Sequence, residues 1–355
     1  MEPVVLALAS NQRYFPGLYC AVASALSHLD AARKVDLKVL DGGISETSRN
    51  TLSQLVERLG KSPRLEFVRV DASVFVRATL GPGRSHMTYC RLLLPHLLDV
   101  PRLIYLDCDV LVFRDLSELF NLELSPGKVL AAVPDSETLS LAEDCPTIAE
   151  AMRLPVNGAY FNCGVMLMNL DELRKQHFFK RSIEFLNAWS GNYRFWDQSA
   201  INFLRHGQVH TLPEYWNRAS WRFDAQQNND LECVLHYTTS APWLGGTFGP
   251  AEVLFERFAA EAGLQVNRQL SDFKRSACRN LWRNALAPLR ALAFPITALL
   301  YRIAGRRDKS AAYEKVARYW FDYVRNAPNR WRLYRRRNQE INRMKFDRGT
   351  SVTTP

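Results

Sequence analysis

The sequence predicts an α/β fold with a mostly parallel central sheet, followed by a helical, basic C-terminal region. Three observations predict it. Short apolar runs alternate with amphipathic stretches of helical length through the first two thirds of the chain, the pattern of βαβ units. The 355 residues are 47% hydrophobic and 11% aromatic, enough for a large core and too much for a disordered chain. The net charge of +10 is unevenly spread, since residues 268–355 hold 21 basic and 6 acidic side chains and the preceding residues hold 25 and 30. The length suits one large domain with an appendage. We therefore expect a catalytic domain over residues 1–265 and a basic, aromatic helical tail over 266–355.

Val4–Ala9 is a continuous apolar run and reads as a buried strand, and Pro16–Leu29 carries Leu18, Val22, Ala25 and Leu29 at helical spacing. Strand, helix and strand follow at 35–40, 45–59 and 65–70. A helix is expected over 86–98 and a strand over 103–106. Two further strands are expected at 129–133 and 164–169, and helices at 172–189 and 198–206. A last short strand runs over 233–237, and the pattern is helical from Pro250 onward. In such a sheet the functional residues gather at the carboxyl ends of the strands.

Seven cysteines form an odd set without a C-x-x-C pair and lie in apolar surroundings, so they read as reduced core residues. MEPVVLALASNQRY has neither the basic region nor the long apolar run of a secretory signal, from which we expect a cytoplasmic protein. The apolar stretch Ala291–Tyr301 is bounded by Arg290 and Arg302, interrupted by Pro295, and shorter than the roughly 20 residues that span a bilayer.

The chemistry begins at Tyr105-Leu-Asp107-Cys108-Asp109-Val110. Alternate side chains of an extended chain share a side, so Asp107 and Asp109 are placed to hold one hard divalent cation, which can neutralise a diphosphate. The same pattern is also an ordinary acidic strand-to-turn junction. Asp115, with capping-box spacing to Glu118, reads instead as a helix cap. Downstream, His236 ends a short strand where an imidazole completes a metal shell or serves a structural purpose.

Together YLDCDV, FNCGVMLMNL (Phe161–Leu170), WDQSAIN (Trp196–Asn202) and HYTTSAPW (His236–Trp243), with LDGGIS and TYCRLLLP, resemble glycosyltransferase family 8. These are retaining enzymes that include bacterial lipopolysaccharide glucosyl- and galactosyltransferases. The resemblance covers roughly residues 3–260 and implies the nucleotide-binding α/β fold called GT-A. It implies Asp107, Asp109 and His236 as ligands of Mn2+ or Mg2+. It places Ala9, Asn11, Arg13, Arg91, Asp107, Cys108, Asp135, Asn162, Cys163 and Gly164 around a nucleotide-sugar donor, with Asp197 and Gln198 nearest the anomeric carbon as catalytic residues. Read without it, Arg91 pairs on a helix face, Asp135 is a turn residue, Asn162-Cys163-Gly164 is a loop and Asp197 is a helix N-cap. Because a glutamine amide is a poor nucleophile, retention points to attack on the face the diphosphate leaves.

Two departures from the family pattern bear on specificity. The usual A-S-D-E-N-Y is Ala9-Ser10-Asn11-Gln12-Arg13-Tyr14, which replaces an acid by an amide that both donates and accepts. In H-x-G-x-x-K-P-W, Ala241 stands where a lysine would neutralise the leaving phosphate, with Arg13, Arg84 or Arg218 as substitutes. The expected function is metal-dependent, retaining transfer of a hexose from a UDP-sugar to a saccharide or lipid-linked glycan such as lipopolysaccharide. The competing readings are a nucleotidyltransferase and a catalytically weak scaffold that binds membrane or nucleic acid. The tail interleaves Arg and Lys with Trp and Tyr, which fits an anionic membrane surface, a nucleic acid or a solvated face; its apolar stretch favours the inner face of the cell membrane over nucleic acid.

Overall fold

A computed structural model describes residues 2–266, except 62–63, 81–84, 137, 139, 156, 224–231, 239–240 and 245–249, together with residues 292–293, 295–296, 299–300 and 302–303. The chain divides into two units, Met1–Trp243 with Leu254–Val266, and Leu244–Val253 with Asn267–Pro355. Apart from the residues just named, the expected tail lies outside the described residues.

The strands in chain order are β1 (Val4–Ser10), β2 (Val35–Asp41), β3 (Arg64–Arg69), β4 (Arg102–Leu106), β5 (Val110–Val112), β6 (Leu130–Pro134), β7 (Phe161–Asn169), β8 (Val209–Thr211), β9 (Arg218–Ala219) and β10 (Val234–His236). Seven form one sheet in the order β3-β2-β1-β4-β7-β6-β8. All run the same way except β7, which is antiparallel to both β4 and β6. Every residue of β1 is buried, which is why it reads as an unbroken apolar run and not as an alternation. A second sheet has the order β5-β10-β9 and contains three short strands, of which only β10 is expected from the sequence.

Most expected elements occur, and the differences have local causes. The stretch expected as an α-helix over 86–98 is a 3-10 helix from His86 to Leu93, followed by a short α-helix, Leu94–Leu97. Pro95 has no N–H to offer the Arg91 carbonyl, which accepts instead from Leu94 one residue earlier. The helix expected over 172–189 is two helices, Leu170–Lys175 and Phe178–Ala188, separated where His177 takes a left-handed backbone at φ 51°. Asn162, Cys163 and Gly164 lie inside β7 and not in a loop before it.

The helix Phe15–His28 packs against β5, and Gly17 lies against the link between β4 and β5. A Cβ at that position would lie 2.1 Å from Cη2 of Trp243 and 2.4 Å from the Cys108 carbonyl oxygen. The carbonyl belongs to backbone and cannot swing aside. We expect Gly17→Ala to destabilise the protein by about 1–3 kcal/mol, as overpacking does. An unchanged urea midpoint would contradict so close an approach.

Candidate active site

β4 leaves the main sheet at Leu106 and β5 enters the small sheet at Val110, so Asp107, Cys108 and Asp109 form the link between the two. The link is a turn, not the extended strand from which the alternation argument started. It is held on both sides, because Asp107 N–H donates to the Gly164 carbonyl (2.7 Å) and the Asp109 carbonyl accepts from Tyr237 N–H (2.9 Å). His236 pairs with Val110 across β10 and β5. Its Nε2 lies 3.7 Å from Asp107 Oδ2 and 3.3 Å from Asp109 Oδ1. Candidate ligand atoms of the three side chains all fall within 4.8 Å of one another. Burial alone would lower the imidazole pKa, but the hydrogen bond and charge of Asp109 and the charge of Asp107 outweigh it and raise the value.

The donor set fits a divalent ion of hard or borderline character, two carboxylates and one imidazole. Gly164 of β7 makes the room. A Cβ there would come within 2.1 Å of His236 Cε1 and 3.0 Å of Asp107 Oδ2. The glycine is therefore required by side-chain crowding at the cluster.

Behind the cluster lies Arg91, buried and multiply paired. Its Nη2 is 3.0 Å from Asp107 Oδ1, its Nε is 2.5 Å from Asp197 Oδ2, and its Nη1 donates to the Cys163 carbonyl. The guanidinium lies 4.8 Å from the centre of the Tyr105 ring, whose hydroxyl donates to Asp107 (2.9 Å). Burial opposes the charge on Arg91, yet Asp107 and Asp197 override it and push its pKa well up. Burial raises the Asp197 carboxyl above the ordinary range, and the Arg91 charge opposes that rise. The 3-10 geometry matters here, since side chains three apart eclipse one another and Thr88 joins Arg91 on the same carboxylate (Oγ1 to Asp197 Oδ1, 2.9 Å). Asp197 is not a helix cap, because Phe195 takes that position and Asp197 lies in the first turn of Trp196–Leu204. Trp196, just before it, holds a left-handed backbone at φ 52°, a costly conformation for a bulky side chain.

A second group surrounds Asp135. Its Oδ2 accepts from Asn162 Nδ2 and from Gln198 Nε2, both at 3.2 Å, and its Oδ1 accepts from Thr138 N–H (2.9 Å). Gln198 Oε1 accepts from Cys163 N–H (3.0 Å). Burial pushes the thiols of Cys108 and Cys163 well above their ordinary pKa. Ala9 is the last apolar residue of β1 and pairs with Leu40 of β2, and Asn11 caps the following turn by accepting from Tyr14 N–H (3.2 Å). Arg13 is exposed, and its carbonyl accepts from Trp243 Nε1 (3.2 Å). Arg84 lies outside the described residues.

The structure thus gathers Arg91, Asp107, Asp109, Asp135, Asn162, Cys163, Gly164, Asp197, Gln198 and His236 into one connected site, while Ala9, Asn11 and Arg13 stand at the end of the neighbouring strand. Sequence reasoning missed Thr88, Tyr105, Asn202 and Asn217. Thr88 was open to discovery through its spacing of three from Arg91. Asn202, which clasps the Phe161 backbone through N–H to Oδ1 (2.7 Å) and Nδ2 to the carbonyl (2.9 Å), looks like any helical residue in sequence. Asn217, 2.9 Å from His236 Nδ1, carries no sequence signal at all.

A protein-family model described as "Glycosyl transferase family 8" matches residues 5–246. General stress protein A of Bacillus subtilis (strain 168) is 29% identical over 214 residues, which cover 59% of this chain and 70% of that protein. Lipopolysaccharide 1,2-glucosyltransferase of Escherichia coli (strain K12) is 28% identical over 157 residues, 41% of this chain and 45% of the relative, so the match spans under half of its length. Among solved structures, the galactosyltransferase LgtC in complex with donor and acceptor sugar analogues aligns with a TM-score of 0.61 at 25% identity, covering 76% of this chain and 98% of that one. The sheet with its single reversed strand is accordingly the expected GT-A fold.

Replacing Arg91 by Leu would leave Asp197 buried and without its cation. We expect a loss of about 3–5 kcal/mol at neutral pH, the cost of removing one partner of a buried ion pair. The deficit should shrink on acidification, because the folded Asp197 carboxyl holds its proton at a higher pH than the unfolded one. Denaturant titrations of both proteins at several pH values measure it, and a deficit that grew in acid would refute the assignment.

Proposed function

Because the chain belongs to glycosyl transferase family 8, matched over residues 5–246, we propose that it is a metal-dependent, retaining hexosyltransferase. The donor is a UDP-sugar, UDP-glucose or UDP-galactose, and the acceptor a saccharide or lipid-linked glycan such as lipopolysaccharide. The observation that carries this reading is the convergence of Asp107, Asp109 and His236 at the carboxyl end of β4. These residues would hold Mn2+ or Mg2+, which when bound neutralises the charge developing on the departing nucleotide diphosphate.

The surrounding side chains have separable tasks. Arg91 holds Asp107 from behind and fixes its rotamer while adding a buried positive charge. Both Asp197 oxygens are engaged, one by Thr88 and the other by Arg91, which suits a positioning role better than that of a nucleophile. Gln198 is held by Asp135 and by the Cys163 backbone, so its amide stands fixed at the sugar position without entropy left to lose on binding. Asp135, the carboxylate that touches Gln198, is likewise engaged at both oxygens, by Asn162 and Gln198 on one and by Thr138 on the other. With both carboxylates so engaged, same-face attack is the reading that needs no covalent enzyme intermediate, and it retains configuration at the anomeric carbon. Asn11 would meet the uracil edge, and arginines such as Arg13 or Arg218 would supply the charge that Ala241 lacks.

For the C-terminal region we propose peripheral association with the anionic inner face of the cell membrane, in keeping with a cytoplasmic enzyme acting on lipid-linked acceptors. The support is the excess of basic residues over 268–355 and the apolar residues Leu292, Ile296, Leu299, Leu300 and Ile303, all exposed and spaced to share one helical face. Among the described residues no helix is long and apolar enough to cross a membrane.

Asp109→Asn should abolish metal-dependent release of UDP from a UDP-hexose while the circular dichroism spectrum stays unchanged, and proton NMR of the early product of the wild-type enzyme should show an α-anomeric doublet. Full activity of the variant in EDTA would remove the metal, and a β-doublet would overturn retention. Deleting residues 270–355 should abolish sedimentation with anionic liposomes, an interaction that weakens steeply with salt at about 1 kcal/mol per basic residue. If the full-length chain ignores such vesicles at low salt, the membrane reading is wrong.

A further inference from the structure

The metal site and the Asp135 group are joined by two amides, and the orientation of each is forced by its neighbours. Gly164 N–H can only donate, so the atom of Asn162 facing it at 3.0 Å is the oxygen. The carboxylate of Asp135 is an acceptor, so the atom of Asn162 facing it at 3.2 Å is the nitrogen. The two constraints agree. Asn162 Oδ1 also faces Asn217 at 2.8 Å, and the facing atom of Asn217 must therefore be its Nδ2. That leaves Asn217 Oδ1 against His236 Nδ1 at 2.9 Å, where an oxygen requires a proton on the ring nitrogen.

We propose that Asn217 is a positioning residue for the metal site, selecting the Nδ1–H tautomer of His236 so that the Nε2 lone pair faces the ion. The proposal rests on the reading of Asp107, Asp109 and His236 as a metal site. Selection is needed because Asp109 lies 3.3 Å from Nε2 and would favour a proton on that nitrogen, which would block metal binding. Asn217 stands against this outcome. It is well placed to do so, since it immediately precedes β9, whose Ala219 pairs with His236 in the small sheet. Asp135 thus acts on the ion without touching it, through two amides and a ring. Partners at this distance from a metal are ordinarily worth about 10–100-fold in affinity.

The test uses the full-length protein at one fixed pH. With 15N-labelled histidine and saturating Mg2+, long-range 15N–1H correlation should show His236 protonated at Nδ1 and not at Nε2. Titration of the metal-free protein with Mn2+, read by electron paramagnetic resonance, should give about 10–100-fold weaker binding for Asn217→Leu. Asn217→Asp keeps the acceptor towards His236 but sets an oxygen against Asn162 Oδ1, so it should bind more tightly than the leucine variant without reaching the wild type. Equal Mn2+ affinity in Asn217→Leu and the wild type overturns the proposal, as does an Asn217→Asp variant that binds as poorly as the leucine variant. If Asn217→Leu fails to fold, the aspartate variant and the wild-type spectrum decide between the same outcomes. A wild-type protein that binds no Mn2+ would overturn the metal reading and this proposal with it, whereas wild-type binding with indifferent variants overturns the proposal alone.

Discussion

The buried guanidinium of Arg91 is the constraint around which the described residues are arranged. A charge removed from water is tolerated only when paired and hydrogen-bonded, and Arg91 meets that demand with two carboxylates, a backbone carbonyl and an aromatic face. The partners come from three separate places, the end of β4, the start of β7 and the first turn of Trp196–Leu204, and they are tied to the 3-10 segment that carries Arg91 itself. No one of these can shift without leaving a buried charge uncompensated. A replacement by lysine would be no substitute, because a single ammonium cannot reach Asp107 and Asp197 from a planar fork.

The reversed strand β7 gives the site its second property. Running against its neighbours, it brings its leading residues, not its trailing ones, to the edge where β4 ends. Backbone N–H groups of Cys163 and Gly164 then orient Gln198 and Asn162, while the missing side chain of Gly164 admits His236. Donor, acceptor and empty space thus come from three consecutive positions of one strand. Backbone groups held in a sheet are the least adjustable parts of a protein, which suits a site whose side chains must not relax when a charged ligand leaves.

Much of this was legible in the sequence, for reasons that also explain what was not. Buried parallel strands announce themselves as apolar runs, so β1, β2 and β4 were found to within a residue or two. The strands β5, β8 and β9 have two or three residues each and offer no periodicity to detect. The metal candidates stood out because Asp107, Asp109 and His236 are chemically expensive residues at strand ends. Asn217 and Asn202 make their contacts through geometry alone, and an asparagine in sequence looks the same whether it faces a buried imidazole or solvent. Arg91 fell between these cases. Its importance came through family resemblance, but its burial could not be read from TYCRL, where the proline four residues on sets the 3-10 geometry that aims it.

The small sheet imposes an order on synthesis. β5 is made soon after the acidic turn, yet its partner β10 lies more than a hundred residues later, and β9 only a little before that. A nascent chain on the ribosome can complete most of the main sheet and still present Asp107 and Asp109 with no imidazole between them. On the proposed reading of these side chains as metal ligands, the last of them to be translated is the one that closes the shell, so capacity to load an ion would arise only when nearly the whole unit has emerged. Fragments ending before His236 would keep most strands of the main sheet and lack the third side chain of the cluster.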